Sequence, residues 1–211
     1  MFYKGFGSKK QLEQNLAAPS PGIPETGRIE LLLNASGRVN LQILEQMAAT
    51  SSQPDFVRFM RYPVLAGSSI QAGELASRRH AQTNEINQTF VFQMAVSEDA
   101  EAMSDTLKQA IYPLIKERDS YRAPNIFTIG RVNGNDIIIP DIAISKRHAI
   151  IERKDSTYFI RDCNSTNATM INGGRIENKA QPIQDGDVIS FARYEFTFLV
   201  PDSLYHRLIE S

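Results

Sequence analysis

Short apolar segments separated by turn residues recur through the C-terminal half of the chain, and this alternation limits its possible folds more than any other feature. The segments lie at 126–129, 137–139, 149–153, 158–161, 169–171, 188–191 and 195–199. Between them, Asp, Asn and Gly at 155–156, 172–174 and 185–187 tolerate the positive φ angles of tight hairpins. Many short strands joined by regular turns predict an all-β sandwich or barrel.

The preceding region has a different pattern. Apolar residues between positions 39 and 47 recur near helical spacing, and Phe56, Phe59 and Met60 would share one face of a second helix that Pro54 begins. A strand or tight hairpin is predicted at 64–75, and strands are predicted at 89–96 and 110–115, the last because Pro113 disfavours a helix there. We therefore expect a mainly β chain, with a small mixed α/β region ahead of a β-sandwich.

Local composition predicts where these parts begin and end. Closely spaced prolines in residues 1–27 favour a flexible N-terminal arm. A small α/β domain of unknown function is expected at 28–105, and the β-sandwich at 106–200. The tail at 201–211 has leucines at helical spacing, which predicts a short terminal helix.

Charge and cysteine content exclude several classes of function. A formal net charge of −1 provides no basic surface for nucleic acid or for an anionic membrane. Cys163 is the single cysteine, so it cannot form an internal disulfide, and we expect a cytoplasmic location. The first residues lack the apolar segment of a signal peptide, so we expect no export by that route, and no apolar run is long enough to span a bilayer. We expect no metal site and no cofactor, since the few histidines are scattered and nucleotide-binding motifs are missing.

Two clusters of small polar residues interrupt the strands of the sandwich region, and a Gly-Arg pair precedes them. In chain order the elements are Gly130-Arg131, Ser145-Lys146-Arg147-His148, Asn164-Ser165-Thr166-Asn167 and Asn172-Gly173. Over residues 108–200, this order resembles that of the forkhead-associated (FHA) domain, a reader of phosphothreonine peptides. The resemblance rests on the whole ordered set, because a lone Gly-Arg or Ser-x-x-His occurs in many proteins.

The resemblance implies a role for each residue of the set, and none of these roles is catalytic. The phosphate would be held by Arg131, Ser145, Lys146 and Thr166, and Asn167 would hydrogen-bond the main chain of the peptide. Structural support would come from His148 beneath the loops and from Gly130, Asn172 and Gly173 in their turns.

The chemistry of these side chains suits a phosphate ester. Such an ester carries close to two negative charges near neutral pH and needs a cation together with neutral donors. Arg131 provides a planar fork of donors, Ser145 and Thr166 provide hydroxyls, and the loop around Lys146 provides a backbone N–H and an ammonium. A niche for the threonine methyl group would favour phosphothreonine over phosphoserine by roughly 1–2 kcal/mol.

Two positions depart from the family pattern. Ala168 stands where the family usually has glycine, and a positive φ there would cost an alanine on the order of 1 kcal/mol. Ala143 stands where some relatives carry an arginine that reads an acidic residue C-terminal to the phosphothreonine. An acidic preference is therefore not expected from position 143.

We accordingly expect a non-enzymatic module that binds phosphothreonine proteins and recruits partners phosphorylated by a Ser/Thr kinase. The alternative is a scaffold or oligomerisation protein that uses the sandwich without phosphorylation, an idea motivated by Ala168 and by the unassigned N-terminal region. A third interpretation, an enzyme within 28–105, has no catalytic motif behind it.

Overall fold

The computed structural model describes residues 29–68, 106–116 and 123–210, which form two β-sheets and three α-helices. The strands are β1 (Val64–Gly67), β2 (Ile111–Pro113), β3 (Ile126–Gly130), β4 (Ile137–Ile138), β5 (Ala149–Lys154), β6 (Thr157–Asp162), β7 (Thr169–Ile171), β8 (Gly174–Ile176), β9 (Gln181–Ile183), β10 (Val188–Phe191) and β11 (Tyr194–Leu199). The helices are α1 (Leu41–Thr50), α2 (Gln53–Met60) and α3 (Pro201–Ile209), with a short 3-10 helix at Ile29–Leu32.

The two sheets form the predicted β-sandwich. One sheet has six strands in the order β2-β1-β11-β10-β7-β8, and the other has five in the order β4-β3-β5-β6-β9. Every second residue of a strand points to the same face, so the inward side chains of both sheets form one core. Its buried members include Phe127, Ile151, Ile160, Phe191 and Phe196.

The six-stranded sheet is also covered on its outer face, by the helices. In β1, Leu65 points into the sandwich core, whereas Val64 and Ala66 belong to a second apolar core with Leu44, Phe56 and Leu204. Because β1 is packed on both faces, each of its residues is buried. The three helices thus form a third layer over the β1, β2 and β11 side of the sheet.

A segment at 36–39 crosses from one sheet to the other. Val39 donates its N–H to Ile111 O in β2 at 2.9 Å, and Ser36 O accepts from Ile138 N in β4 at 3.2 Å. Gly37 (φ +78°) lies so close to the loop between β3 and β4 that a Cβ on it would meet Asp136 O at 2.4 Å. The segment therefore covers the exposed edges of β2 and β4, which would otherwise present unpaired backbone groups.

The helices predicted from spacing are confirmed as α1 and α2, each with a polar N-cap. Asn40 accepts from Gln42 N and Ser52 from Asp55 N, which satisfies backbone donors that have no partner inside the helix. The tail forms α3. The arm predicted at 1–27 and the strand predicted at 89–96 lie outside the described residues.

The predicted boundary between 105 and 106 does not fall at the edge of the sandwich. β1 lies within the proposed 28–105 domain, yet it is a strand of the six-stranded sheet and pairs with β11 from Val64↔Leu199 to Gly67↔Phe196. It also pairs with β2. The N-terminal region therefore contributes a sheet strand and two of the three helices of the outer layer, and the sandwich begins before residue 106.

Candidate functional site

Three loops that connect strands meet at one end of the sandwich, which we call the loop end. They are the β3–β4 loop (131–136), the β4–β5 loop (139–148) and the β6–β7 loop (163–168). Arg131 N donates to Ser145 O at 3.0 Å, and Thr166 N donates to Ser145 Oγ at 3.0 Å. The structure thus brings together Arg131, Ser145 and Thr166, which the sequence placed in separate loops.

Gly130 lets the first two loops approach each other. A Cβ at this position would lie 2.3 Å from Lys146 O and 2.6 Å from Asn135 Nδ2, distances that no side chain permits. Asn135 then joins the loops, because its Nδ2 donates to Val132 O and to Lys146 O, each at 2.8 Å. The glycine is required by this close packing, which agrees with the structural role implied for it.

The guanidinium of Arg131 is held at one nitrogen. Its Nε donates to Ile144 O at 3.2 Å. Within the described residues no acceptor pairs with its Nη atoms, and no carboxylate forms an ion pair with it. The two Nη groups therefore form a fork that can bind two oxygens of an anion.

Two hydroxyl groups lie side by side in the loops that Arg131 joins. Ser145 Oγ and Thr166 Oγ1 are 3.5 Å apart, and Ser145 is half-buried while Thr166 is exposed. Ser145 Oγ accepts from Thr166 N, and its own hydrogen donates to Thr166 Oγ1 only over this long contact, so the hydrogen can turn to an external acceptor. Both hydroxyls can donate to one small anion that reaches this end of the sandwich.

Lys146 and Asn167 each directly follow one member of the hydroxyl pair along the chain. Asn167 Nδ2 donates to Ala143 O at 2.8 Å, which ties the β6–β7 loop to the β4–β5 loop. Its second N–H and its Oδ1 can still pair with the main chain of a ligand. Lys146 has an exposed side chain, and no ion pair in the described part of the chain uses its ammonium.

His148 lies beneath the loops and is fully buried. Its Nδ1 accepts from Ser145 N at 3.2 Å, so Nε2 carries the proton and donates to Ala168 O at 3.0 Å. Burial lowers the pKa of His148 despite the nearby Ala168 carbonyl and Asp162. A neutral imidazole therefore links the β4–β5 and β6–β7 loops, as its implied supporting role requires.

Asp162 is a buried carboxylate that the sequence analysis did not single out. It accepts from Ser165 N at 2.8 Å, from Ser165 Oγ at 2.6 Å and from Thr169 Oγ1 at 2.7 Å. Burial acts to raise the pKa of Asp162, but these hydrogen bonds and the nearby His148 outweigh it and lower the pKa. The sequence signal was an Asp three residues before a Ser, a spacing typical of a side chain that caps the following turn.

A second buried carboxylate, Asp141, holds the β4–β5 loop. It accepts from Ala143 N at 2.7 Å and from Tyr194 OH at 2.6 Å, and it forms an ion pair with Arg193. Burial acts to raise the pKa of Asp141, and the hydrogen bonds from Tyr194, Ala143 and Arg193 bring it below its usual value. This network connects the loop to the β10–β11 turn.

Ala168 adopts the conformation that the sequence analysis considered for it, with φ of 61°. Its side chain is buried and its carbonyl accepts from His148, so the alanine occupies the loop without displacing the neighbouring groups. Ala192 N also donates to Ala168 O at 3.2 Å. The departure from glycine is therefore accommodated within an ordered loop.

Asn172 and Gly173 do not lie at the loop end that carries Arg131, Ser145 and Thr166. Thr169, at the start of β7, is next to the loop end, whereas Asn172 follows the last residue of that strand at the opposite end of the sandwich. Asn172 donates to Asp187 Oδ1 at 2.8 Å and accepts from Val188 N at 2.9 Å. These residues shape a turn, with Gly173 at φ +78°, but they do not contact the loop end.

A family model for the FHA domain matches residues 127–192. This part of the chain is an FHA domain. The match contains Arg131, Ser145, Thr166 and Asn167, and the residues that carried the resemblance in the sequence therefore lie inside it.

The curated relatives share this domain over short stretches. The chain is 37% identical over 75 residues to an ABC transporter ATP-binding/permease protein of Mycobacterium tuberculosis, covering 36% of this chain and 8% of that protein. It is 36% identical over 72 residues to the transcriptional regulatory protein EmbR of Mycobacterium bovis, covering 34% and 18%. It is 33% identical over 72 residues to the oxoglutarate dehydrogenase inhibitor of Corynebacterium glutamicum, covering 34% and 49%. The chain thus spans less than half the length of each of these relatives.

Solved structures similar to the chain include FHA domains. One comes from a study of phosphothreonine-dependent FHA domain interactions, with 27% identity, coverage of 42% of this chain and 82% of that chain, and a TM-score of 0.36. Another is the FHA domain of an Arabidopsis thaliana hypothetical protein, with 30% identity, coverage of 38% and 70%, and a TM-score of 0.35.

Among the described residues, no group of His, Cys, Asp and Glu side chains has the arrangement of a metal site. No helix in the same part of the chain has the length and apolar character needed to cross a membrane.

Proposed function

We propose that the chain is a binding module for phosphothreonine-containing proteins, through which it recruits partners phosphorylated by a Ser/Thr kinase. The observation that carries this proposal is the Arg131 guanidinium, whose Nη fork has no acceptor among the described residues. Its Nε is bound to the carbonyl of Ile144, the residue before Ser145, whose hydroxyl contacts that of Thr166. The FHA match over the same residues supports it.

The geometry suits a phosphate monoester better than a carboxylate. A carboxylate has two oxygens and one charge, which the Arg131 fork alone would satisfy. A phosphate monoester has three terminal oxygens and nearly two charges, so it can engage the fork, the two hydroxyls and Lys146 together. Since Arg131 Nε is already bound to Ile144 O, the guanidinium would meet the phosphate with its Nη edge.

The loops would bind this group without large rearrangement. Gly130, Asn135, His148, Asp141 and Asp162 already hold the three loops against one another by hydrogen bonds and close packing. A site whose donors are in place before the ligand arrives loses less conformational entropy on binding. Asn167 would add a contact to the peptide main chain through its remaining N–H and its Oδ1.

The proposed module performs no chemical step, because holding a phosphate requires neither a nucleophile nor a general base. His148 is buried and engaged at both ring nitrogens, so it is not available to take a proton from a ligand. We place the binding event in the cytoplasm, on the basis of the single cysteine in the sequence. The identity of the partner and of its kinase would follow from peptide selection.

A titration of the full chain with matched peptides tests the proposal. Phosphothreonine, phosphoserine and unmodified versions of peptides selected from a degenerate phosphothreonine library are measured by calorimetry. We expect binding only with phosphate, and tighter binding of phosphothreonine than of phosphoserine. Arg131→Ala should weaken it about 100-fold or more, because it removes a bidentate, charge-assisted pair. Arg175→Ala, which removes an exposed arginine on β8, is the matched control and should bind like the wild type.

The same titration decides between this proposal and a phosphorylation-independent scaffold. Equal affinity of the wild type for phosphorylated and unmodified peptides, with no effect of Arg131→Ala, would contradict phosphate recognition. Binding of an unmodified protein partner that tolerates Arg131→Ala would then favour the scaffold.

A further inference from the structure

An isoleucine at the loop end is the most exposed of the large apolar side chains in the described part of the chain. Ile142, in the β4–β5 loop, is 89% exposed, compared with 67% for Leu31 and 46% for Ile209. Isolated apolar side chains are common on protein surfaces and need no function. Whether Ile142 takes part in ligand binding therefore depends on its position relative to the candidate site.

Ile142 immediately precedes two residues whose carbonyl groups are bound by the candidate site. Asn167 Nδ2 donates to Ala143 O at 2.8 Å, and Arg131 Nε donates to Ile144 O at 3.2 Å. Asn167 therefore binds the carbonyl of the residue directly after Ile142, and the Cα atoms of these two neighbours are about 3.8 Å apart. A peptide that contacts Asn167 with its main chain would pass close to this side chain.

The loop that carries Ile142 is held in place from below. Asp141 is 8% exposed and accepts from Ala143 N at 2.7 Å, which fixes the backbone on both sides of Ile142. Tyr194 OH donates to the same carboxylate at 2.6 Å. Because the backbone is already ordered, covering the isoleucine with a ligand would lose little conformational entropy.

A second exposed apolar side chain lies in the β3–β4 loop, beside Arg131 in the chain. Val132 follows Arg131 directly and is 39% exposed, and its carbonyl is bound by Asn135 Nδ2 at 2.8 Å. Exposed apolar side chains therefore lie in two of the loops that form the candidate site, and both loops are held by side-chain hydrogen bonds.

The charges nearby do not favour an acidic ligand residue at this place. Arg193 is the basic side chain closest in the network, and it already forms an ion pair with Asp141. Ala143 carries no charge. Arg131 and Lys146 would already hold the phosphate, so an acidic side chain placed against Ile142 would lose water and gain neither of these cations. An apolar side chain would instead gain by leaving water.

We propose that Ile142 selects phosphopeptides that carry an apolar side chain near the phosphothreonine, with Val132 as a second contact. This proposal rests on the proposed function, because it assigns a sequence preference to the same site. Burial of an aliphatic side chain against the isoleucine should increase affinity about 5- to 30-fold over a serine at the same peptide position.

Peptide selection with the full chain tests the preference. A phosphothreonine library with every flanking position varied identifies the position that matters, and single peptides with Leu, Ser or Asp there are then titrated. The wild type should prefer Leu over Ser by about 5- to 30-fold and should bind Asp no better than Ser. Ile142→Ser should abolish the Leu preference and leave the affinity for the Ser peptide within about twofold, whereas Ile142→Leu should retain the preference.

Ile209→Ser is the matched control, since it removes an exposed isoleucine from α3, and it should bind like the wild type. An equal melting temperature for Ile142→Ser and wild type would show that the loop is intact. If phosphorylated peptides bind without an apolar preference, or if Ile142→Ser keeps the preference, this inference is wrong and phosphate recognition stands. If phosphorylation itself has no effect on binding, the proposed function fails first.

Discussion

Replacement of Asp162 by asparagine removes a buried charge beneath the β6–β7 loop and keeps the shape of the side chain. The carboxylate accepts hydrogen bonds from Ser165 N, Ser165 Oγ and Thr169 Oγ1, at 2.8, 2.6 and 2.7 Å. Asparagine can present its carbonyl oxygen to the two hydroxyls. Its amide nitrogen then faces Ser165 N, so that a donor meets a donor and a charge-assisted hydrogen bond is lost.

The expected cost follows from these contacts. Loss of a hydrogen bond to a charged acceptor costs about 1.5–3 kcal/mol, and a buried donor left without a partner costs about 1–3 kcal/mol. Both estimates describe the same broken contact, so they are not fully additive. We expect Asp162→Asn to lower the free energy of unfolding by about 2–4 kcal/mol. For a chain of this size, the melting temperature should fall by about 5–15 °C.

Urea denaturation followed by circular dichroism measures this change, since the chain contains no tryptophan. Asp155→Asn is the matched control, because Asp155 is an exposed turn residue with φ of 54° that asparagine also tolerates. The control should change stability by less than about 0.5 kcal/mol. A loss below about 1 kcal/mol for Asp162→Asn would refute the reasoning.

The pH dependence of the same variant gives an independent check. Since the folded protein holds the pKa of Asp162 below its usual value of 3.8, the carboxylate stabilises the fold above that pH. This contribution is lost as the pH falls through 3.8 toward the folded pKa. Asp162→Asn should therefore show a shallower loss of stability in acid than the wild type, and an unchanged slope would contradict the assignment.

Three further predictions concern the loops. Ser145→Ala should weaken phosphopeptide binding by about 10- to 100-fold, measured by calorimetry, and cost less than about 1 kcal/mol of stability because Thr166 N is exposed to water; equal affinity would exclude the hydroxyl as a donor. Ala168→Gly should change stability by less than about 1 kcal/mol in urea denaturation, because relief of about 1–2 kcal/mol of backbone strain is offset by a lost buried methyl group and by a more flexible unfolded chain; a gain above about 2 kcal/mol would show greater strain. Because burial lowers the pKa of His148, stability should be complete above its usual value of 6.5 and decline as the pH falls below it. That slope should vanish in His148→Gln and persist in His206→Gln, and its persistence in His148→Gln would assign it to another group.

Local patterns predicted much of the secondary structure but not its pairing. Helical spacing identified α1 and α2, and alternation identified most strands of the sandwich, because burial of one face leaves a periodic trace. β8 and β9 were missed because GRI and QPI are short and contain Gly or Pro, which are depleted in strands. The pairing of β1 with β11 joins distant parts of the chain, and a four-residue apolar strand carries no signal for its partner.

The candidate site was predictable where chemistry alone identifies a residue. Arg131, Ser145 and Thr166 have the donors that a phosphate requires, and the family resemblance placed them in order. Asp141, Asp162 and Asn135 act on the backbone of the loops, so nothing in their own side-chain chemistry indicated which residues they would hold. Ile142 was missed for a similar reason, because exposure is a property of the folded loop and an isoleucine in sequence is usually buried.

The position of β1 ahead of the family match determines how the domain can be isolated. A fragment that began at residue 106 would lack β1, and β11 would become an edge strand with a row of unpaired N–H and C=O groups from Phe196 to Leu199. β2 would lose its partner strand as well, and the outward apolar residues Ile111 and Leu199 would lose α1 and α2, which help to cover them. Such a fragment should aggregate by edge-to-edge pairing, whereas one that begins at the 3-10 helix near Ile29 keeps both the edge and its cover.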